Sequence, residues 1–164
     1  MTLPRRWPSL WVALAISYAV AGLGGALTDI GPWYLALQQP AWKPPDLWFG
    51  PIWTTLFTLA AVSGWLAWHA VPWPHARRRV LVLFAINAFF NVLWSALFFA
   101  LKRPDWAMGE WVFLWGSIVL LIVGLWRVSR PAALLNLPYL AWVSAAGLLN
   151  WQNVVMNGPF GNLN

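Results

Sequence analysis

Residues 80–101 read VLVLFAINAFFNVLWSALFFAL, a run of 22 residues without a single charge. About 20 apolar residues are enough for an α-helix to cross the hydrocarbon core of a bilayer. Four more stretches of similar length and polarity occupy most of the remaining chain. The five predicted spans are residues 8–28, 47–71, 80–101, 106–126 and 131–153. The sequence therefore predicts an all-α membrane protein, a bundle of five transmembrane helices.

The composition leaves no room for a separate soluble domain. Of 164 residues, 61% are hydrophobic and 9% are charged, whereas soluble domains carry about 25% charged residues. Because only short connections join the spans, residues 1–164 are predicted to form a single membrane domain. The sequence contains no cysteine, which excludes disulfides, thiolate metal sites and thiolate-ligated haem.

The cations are distributed unequally between the two ends of the predicted spans. One end carries Arg5, Arg6, Arg77, Arg78, Arg79, Arg127 and Arg130. The other end carries Lys43, Lys102 and Arg103. Since cytoplasmic connections are enriched in Lys and Arg, this predicts a cytoplasmic N-terminus and an external C-terminus, with loop 1 (residues 29–46) outside. Topology thus accounts for the net charge of +6, and nucleic acid is not expected as a partner.

Loop 1 combines stiffness with aromatic surface. Its prolines and the aromatic residues between them are Pro32, Pro40, Pro44, Pro45, Trp33, Tyr34 and Trp42. A long connection of this kind is usually functional or disordered, and its aromatic residues favour a function. We predict that loop 1 forms a lid over the outer end of the bundle.

Three predicted helices each carry aromatic or amide side chains at the spacing of one helical face. The predicted topology places these faces in the outer half of the bundle, where ligand pockets of apolar, aromatic character with a few polar groups can form. The expected ligand-binding residues are Trp33, Trp42, Trp53, Phe57, Asn87, Asn91, Trp94, Phe98, Tyr139, Trp142, Ala146 and Asn150. The expected lid residues are Pro40, Pro44 and Pro45.

Two polar features have a purely structural interpretation. Asn87 and Asn91 are equally consistent with ligand contact and with hydrogen bonds between helices, because buried Asn often bonds a neighbouring helix. Glu110 is the only acid well inside an apolar stretch. It is expected to reach the outer surface or to pair with Lys102 or Arg103.

The rest of the chain offers little catalytic chemistry. Pro138 is expected to kink the fifth helix in its interior, and residues 152–164, rich in Asn and Gly, are expected to fray. His69 and His75 flank the cytoplasmic end of the second span and are interpreted as surface residues. No triad, paired carboxylates, phosphate loop or metal cluster is visible, so neither hydrolysis, phosphoryl transfer nor a metal site is predicted.

Several motifs occur in the order found in a known family. They are Trp33-Tyr34, Pro40-Ala41-Trp42-Lys43-Pro44-Pro45, Phe49-Gly50-Pro51-Ile52-Trp53-Thr54, Asn91-Val92-Leu93-Trp94 with Phe98-Phe99, and Pro138-Tyr139-Leu140-Ala141-Trp142 with Leu149-Asn150. Over about residues 10–151 the sequence resembles the tryptophan-rich sensory protein family. These are the bacterial relatives of the mitochondrial translocator protein, or peripheral benzodiazepine receptor.

The resemblance implies a five-helix bundle, usually a homodimer, with an outward pocket capped by loop 1. It implies binding of porphyrins, haem-type tetrapyrroles, sterols and isoquinoline-type drugs. Trp53 and Trp142 match two pocket tryptophans that have been linked to porphyrin breakdown, and Asn91 matches a polar pocket position. Two residues depart from the pattern: Phe57 stands where many members have tyrosine, and Gln39 where lysine is common.

The expected function is that of a receptor or binding protein for porphyrin or haem in a bacterial cell membrane, with no cofactor required. A porphyrin-degrading enzyme acting through Trp53 and Trp142 is an alternative that uses the same site. A tetrapyrrole or sterol transporter is another, although the sequence shows no internal repeat. Ala96, Ala100 and the small residues of the first span are candidate contacts of a homodimer.

Overall fold

The computed structural model describes residues 7–160, and the regular elements within that range are helices. They are α1 (Trp7–Leu27), α2 (Pro32–Ala36), α3 (Phe49–Ala70), α4 (Pro74–Ser95), α5 (Pro104–Trp126), α6 (Arg130–Leu134) and α7 (Leu137–Asn157). A 3-10 turn, Asp46–Trp48, leads into α3, and a π-helical turn, Ala96–Ala100, ends α4. Five of the helical segments are long and apolar enough to cross a membrane, which confirms the predicted membrane bundle.

Helix α5 is the centre of the bundle. It contacts α4, α6 and α7, and its side chains Ile118, Leu121 and Leu125 are fully buried. Helix α1 lies at the periphery, where it packs mainly against α3 and where Gly24 is its only buried residue. Since lipid tails are as apolar as these helices, close packing and interhelical hydrogen bonds hold such a bundle together.

The fifth span is interrupted before its proline. Pro138 stands in the first turn of α7. A backbone N–H at that position would have no partner within the helix, so its absence in proline costs no hydrogen bond. The Asn136 amide Nδ2 donates to the Ala132 carbonyl (2.9 Å) and to Ser63 Oγ (2.7 Å), and Ser63 Oγ donates to the same carbonyl (2.7 Å). These bonds give the Ala132 carbonyl of α6 its hydrogen-bond partners and join α6 to α3 through Ser63. The predicted interior kink is therefore wrong, because the helix restarts at Leu137.

Two spans differ at one end from the predicted bounds by more than two residues. Helix α4 begins at Pro74, since proline suits the first helical turn; Arg77, Arg78 and Arg79 are thus helical. Helix α7 continues to Asn157. The expected fraying is therefore wrong for residues 152–157, which are helical. Arg5 and Arg6, and the last four residues of the tail, lie outside the described range.

Candidate ligand cavity

A cavity of about 510 Å³ lies between α1, α3, α4, α5 and α7, under the connection from α1 to α3. Its volume falls within the range of roughly 300–1,000 Å³ typical of small-molecule sites. The predicted ligand residues that line it are Trp53, Phe57, Asn91, Trp94, Trp142 and Ala146. Lining residues that sequence reasoning had not assigned to the pocket include Tyr18, Tyr34, Asp46, Phe49, Ser95, Phe99 and Trp111.

Tryptophans from four helices form much of the wall. They are Trp53 of α3, Trp94 of α4, Trp111 of α5 and Trp142 of α7. The Trp142 ring meets Phe49 edge to face with centroids 5.4 Å apart, and Trp94 stacks on Phe98 at 5.0 Å. Such pairs add about 0.5–1.5 kcal/mol each beyond area burial. The indoles are therefore held in place by neighbouring rings without any ligand.

The position of Trp111 depends on a glycine. Its Nε1 donates to the Val143 carbonyl at 2.8 Å, which brings the ring against α7. A Cβ at Gly147 would come within 2.3 Å of the Trp111 ring. Only glycine leaves that space, so Gly147 decides where this part of the cavity wall stands. A glycine one turn after Val143 inside an apolar span was the sequence signal for such a close approach.

One amide connects the cavity wall to the core. Asn91 Nδ2 donates to the Tyr139 hydroxyl at 2.9 Å. The Tyr139 ring, which is buried, meets Trp53 edge to face with centroids 6.1 Å apart. Asn91 therefore bonds another helix, and it also lines the cavity.

Two indole N–H groups at the wall lack an acceptor. Trp94 Nε1 and Trp142 Nε1 are buried without a hydrogen-bond partner among residues 7–160. Buried polar groups are nearly always bonded, and an unmade bond costs about 1–3 kcal/mol.

Six of the predicted ligand residues lie outside the cavity lining, and four of these six are buried within the bundle. Tyr139 and Phe98 are buried behind the lining. Asn87 donates to Ser117 Oγ of α5 at 2.9 Å, so it bonds helices together. Asn150 is fully buried, with its amide oriented toward the Pro104 carbonyl and the Met108 N–H, both at 3.2 Å. These amides serve packing because their faces point toward α5, which periodicity alone does not reveal.

The lid contains a short helix, α2, and its two predicted ligand residues, Trp33 and Trp42, do not line the cavity. Trp33, in α2, packs edge to face on Phe98 with centroids 6.1 Å apart. The Trp42 Nε1 donates to Gln152 Oε1 at 2.7 Å, and that side chain is 48% exposed. The lid prolines are not lining residues: Pro40 is buried, Pro44 is half-buried and Pro45 is exposed.

An ion pair within the lid lies at the rim of the cavity, just before α3. Lys43 Nζ lies 2.5 Å from Asp46 Oδ1, which also accepts from the Tyr34 hydroxyl at 3.0 Å. The same ammonium is 5.4 Å from the Tyr34 ring centre and 5.8 Å from that of Phe49. We call Tyr34, Lys43 and Asp46 the rim triad. Two of its members, Tyr34 and Asp46, line the cavity.

Burial and hydrogen bonding act together on two rim groups, and the pKa values of both Lys43 and Tyr34 end above their ordinary values. Burial lowers the pKa of Lys43, but its contacts with Asp46 and Tyr34 outweigh that penalty, so the net pKa lies above the ordinary value. Burial raises the pKa of the Tyr34 phenol. Both groups therefore keep their protons, and the ion pair persists, through the physiological range.

The lid is also fastened to the end of α7. The Gln38 backbone N–H donates to Asn157 Oδ1 at 2.7 Å, and Asn157 Nδ2 donates to the Gln38 carbonyl at 2.9 Å. Together with the bond between Trp42 and Gln152, these contacts bridge residues far apart in the chain. They explain why α7 stays helical to Asn157.

Glu110 is buried within the bundle. It is 6% exposed, and neither carboxylate oxygen has a hydrogen-bond partner among residues 7–160. The expected pairing with Arg103 is wrong because that residue pairs with Asp105 of the same turn. Lys102 adopts a left-handed conformation (φ 54°) in the link to α5 and is exposed. No group of three His, Asp or Glu side chains suited to a metal occurs in the described part of the chain.

Comparisons with known proteins agree with the motifs. The model of the TspO/MBR family matches residues 11–156. The chain is 39% identical to the "Tryptophan-rich protein TspO" of Chlorobaculum tepidum, over 90% of this chain and 96% of that protein. It is 32% identical to "Protein CrtK" of Rhodobacter capsulatus, over 88% and 90% respectively. Identity to the human "Translocator protein" is 32%, over 73% of this chain and 71% of that one.

Proposed function

This chain belongs to the TspO/MBR family, and we propose that it is a membrane receptor that binds a tetrapyrrole, a porphyrin or haem, in the cavity beneath its lid. The observation that carries the proposal is the ring of tryptophans from four different helices around one space of about 510 Å³. A flat macrocycle offers two apolar faces, and indole and phenyl rings bind such faces by burial and stacking. Sterols and isoquinoline-type drugs share that flat, apolar character.

The polar groups of the cavity suit the edge of such a ligand. Asn91 is an amide on the wall, and the indole N–H groups of Trp94 and Trp142 lack acceptors within the described residues. At the rim, Lys43 lies beside two lining residues, Tyr34 and Asp46. We propose that the carboxylate of a bound porphyrin replaces Asp46 as the partner of Lys43. Many family members have a lysine at position 39, where this chain has Gln39. In this proposal Lys43 takes the place of that lysine as the cation that binds the carboxylate.

The orientation follows from the charges. With Arg77–Arg79 and Arg127 in the cytoplasm, the lid and rim triad face outward, and the ligand enters from outside the bacterial cell membrane. A homodimer is part of the proposal. Gly22 of α1 has open space where a Cβ would stand, which leaves room for the close approach of a second helix.

Binding is tested by titrating protoporphyrin IX into the purified chain and following tryptophan quenching and porphyrin absorbance. Saturable binding is expected, and Trp142→Phe should raise the dissociation constant at least fivefold. The matched control is Trp151→Phe, on the same helix but 54% exposed and away from the cavity. If the control variant loses affinity as much as Trp142→Phe, or if removing both Trp53 and Trp142 changes nothing, the cavity is not the site.

A second candidate function is degradation of the bound porphyrin. It is favoured by Trp53 and Trp142 lining the same cavity, because indole side chains on both sides of a macrocycle can take part in its oxidation by oxygen and light. The test is the absorbance spectrum of bound porphyrin under illumination in air. Product formation that requires both tryptophans, in variants that still bind porphyrin, would support an enzyme; bleaching at an equal rate without them would exclude it.

A further inference from the structure

A second cavity of about 530 Å³ lies between α1, α3 and α4. Its lining is almost entirely apolar and includes Val12, Ile16, Ala60, Trp68, Phe84 and Ala88. It shares Phe57 and Asn91 with the ligand cavity, and from there it runs toward the end of the bundle that carries Arg77. We call it the arginine-end groove.

The groove opens sideways, toward the membrane. Its α1 residues Val12 and Ile16 are 58% and 60% exposed. Along α4 its lining extends from Val80 to Asn91, which at 1.5 Å per residue is about 16 Å. That is roughly half of a hydrocarbon core about 30 Å thick. The groove therefore matches a chain from one leaflet, and it is too short for a membrane-spanning helix of a second copy.

A guanidinium stands at the polar end of this groove. Arg77 lies one turn before Leu81 and two turns before Phe84, and so on the groove face of α4. Its Nε donates to the Val71 carbonyl at 3.1 Å, and its guanidinium is 5.0 Å from the ring centre of Trp68, a groove residue. The Val71 bond uses one of five N–H donors, which leaves a positioned group able to bind a phosphate through paired bonds.

The charge around Arg77 has no counterpart in the chain. Arg78 and Arg79 follow it, both exposed. All four acidic residues of the protein, Asp29, Asp46, Asp105 and Glu110, lie at or near the lid end of the bundle. At that end Lys43 and Arg103 are each paired with an aspartate. The arginine end therefore carries cations without an acidic side-chain partner among the described residues.

We propose that the arginine-end groove binds an anionic glycerophospholipid, with one acyl chain between α1, α3 and α4 and the phosphate at Arg77. Arg78 and Arg79 raise the local positive potential that attracts an anionic headgroup. The bound lipid covers the apolar surface that α1 leaves open. The two spaces meet at Phe57 and Asn91. The proposed phosphate site at Arg77 lies at the opposite end of the bundle from the lid, so the proposal does not depend on the function proposed for the ligand cavity.

The test is native mass spectrometry of the delipidated full-length chain with added dioleoyl phosphatidylglycerol or dioleoyl phosphatidylcholine. The anionic lipid is expected to bind at least fivefold more tightly. Arg77→Gln should reduce that preference to less than twofold. The matched control is Arg130→Gln, whose guanidinium also lies over a tryptophan, 5.9 Å from the Trp126 ring centre, but away from the groove. Equal affinity of the wild-type chain for the two lipids would overturn the proposal, as would equal losses in the two arginine variants.

A second pair of variants tests the groove itself. Ala88→Phe fills it and should weaken binding of both lipids at least fivefold, whereas Ala15→Phe, on the exposed face of α1, should leave both affinities unchanged. If Ala88→Phe lowers the helical circular dichroism, the smaller Ala60→Leu replaces it. If Ala88→Phe and Ala15→Phe weaken lipid binding equally, the bound lipid is ordinary annular lipid and does not occupy the groove. A loss of dimer mass on filling the groove, without loss of lipid, would mean that a second copy occupies it.

Discussion

The indole of Trp111 stands directly against the backbone of Gly147, where a Cβ atom would lie 2.3 Å from its Cε2. The contact joins α5 to α7 and sets one wall of the ligand cavity. It is a steric relationship, so its strength is measured by adding one methyl group.

Gly147→Ala is expected to destabilise the protein by about 1–3 kcal/mol, because the methyl group forces the Trp111 ring or α7 to move. Affinity for protoporphyrin IX should fall with it. The measurement is the free energy of unfolding in mixed micelles together with a porphyrin titration. The control is Gly116→Ala on α5, where nothing lies within 4 Å of the new Cβ and higher helix propensity should be neutral or stabilising by up to about 1 kcal/mol. Equal stability of the two variants would contradict the steric account.

Tyr139→Phe should destabilise the protein by about 1–3 kcal/mol, because it leaves the Asn91 amide without its acceptor inside the bundle. Adding Asn91→Leu should recover part of the loss, and a double-mutant cycle measures the coupling. Tyr18→Phe is the control, since its hydroxyl bonds Thr58 at 2.6 Å in an exposed place, and its cost should stay within about 0.5 kcal/mol. Strict additivity of the first two changes would show that the hydrogen bond contributes nothing.

Asn157→Ala should loosen the lid, because it removes both hydrogen bonds to the Gln38 backbone. Dissociation of protoporphyrin IX in a stopped-flow experiment should speed up about tenfold, which corresponds to roughly 1.4 kcal/mol of lost lid contacts. Amide hydrogen exchange in residues 29–46 should rise as well, with or without ligand. Gln38→Ala keeps the backbone N–H and carbonyl of residue 38 and should behave as wild type. A similar effect in that variant would show that the Gln38 side chain, and not the hydrogen bonds from Asn157 to the backbone, holds the lid.

The rim triad predicts a loss of lid closure at alkaline pH. Because contacts with Asp46 and Tyr34 raise the pKa of Lys43 in the folded protein, the stabilisation is complete below the ordinary lysine pKa of about 10.4 and is lost as the pH rises through the higher folded value. Hydrogen exchange of the lid, corrected for its intrinsic pH dependence, should increase only above pH 10. Lys43→Met should abolish that step; a step that persists in this variant would assign it to another group.

The membrane character and the number of spans were predictable from local composition. Five apolar stretches of sufficient length, four of them without Asp, Glu, Lys or Arg, permit no other fold class, because every backbone group in lipid must bond within its own helix. Family membership was equally predictable, since the motifs of the lid and of three spans occur in order. Six of the twelve predicted ligand residues line the cavity. Helical spacing made them predictable, because it puts Trp53 with Phe57, and Trp142 with Ala146, on one face of a helix.

What the sequence by itself determined is thus the membrane fold, the set of aromatic side chains and the end at which the lid lies. Only the tertiary structure decided which face of each helix is turned inward: that Trp111 reaches the cavity while Trp42 turns to Gln152, and that Asn91 lines the cavity while Asn87 bonds Ser117. The physical reason is that a membrane helix is apolar all round, so hydrophobicity does not distinguish its lipid face from its core face. Close contacts between helices, such as Trp111 against Gly147, make that choice.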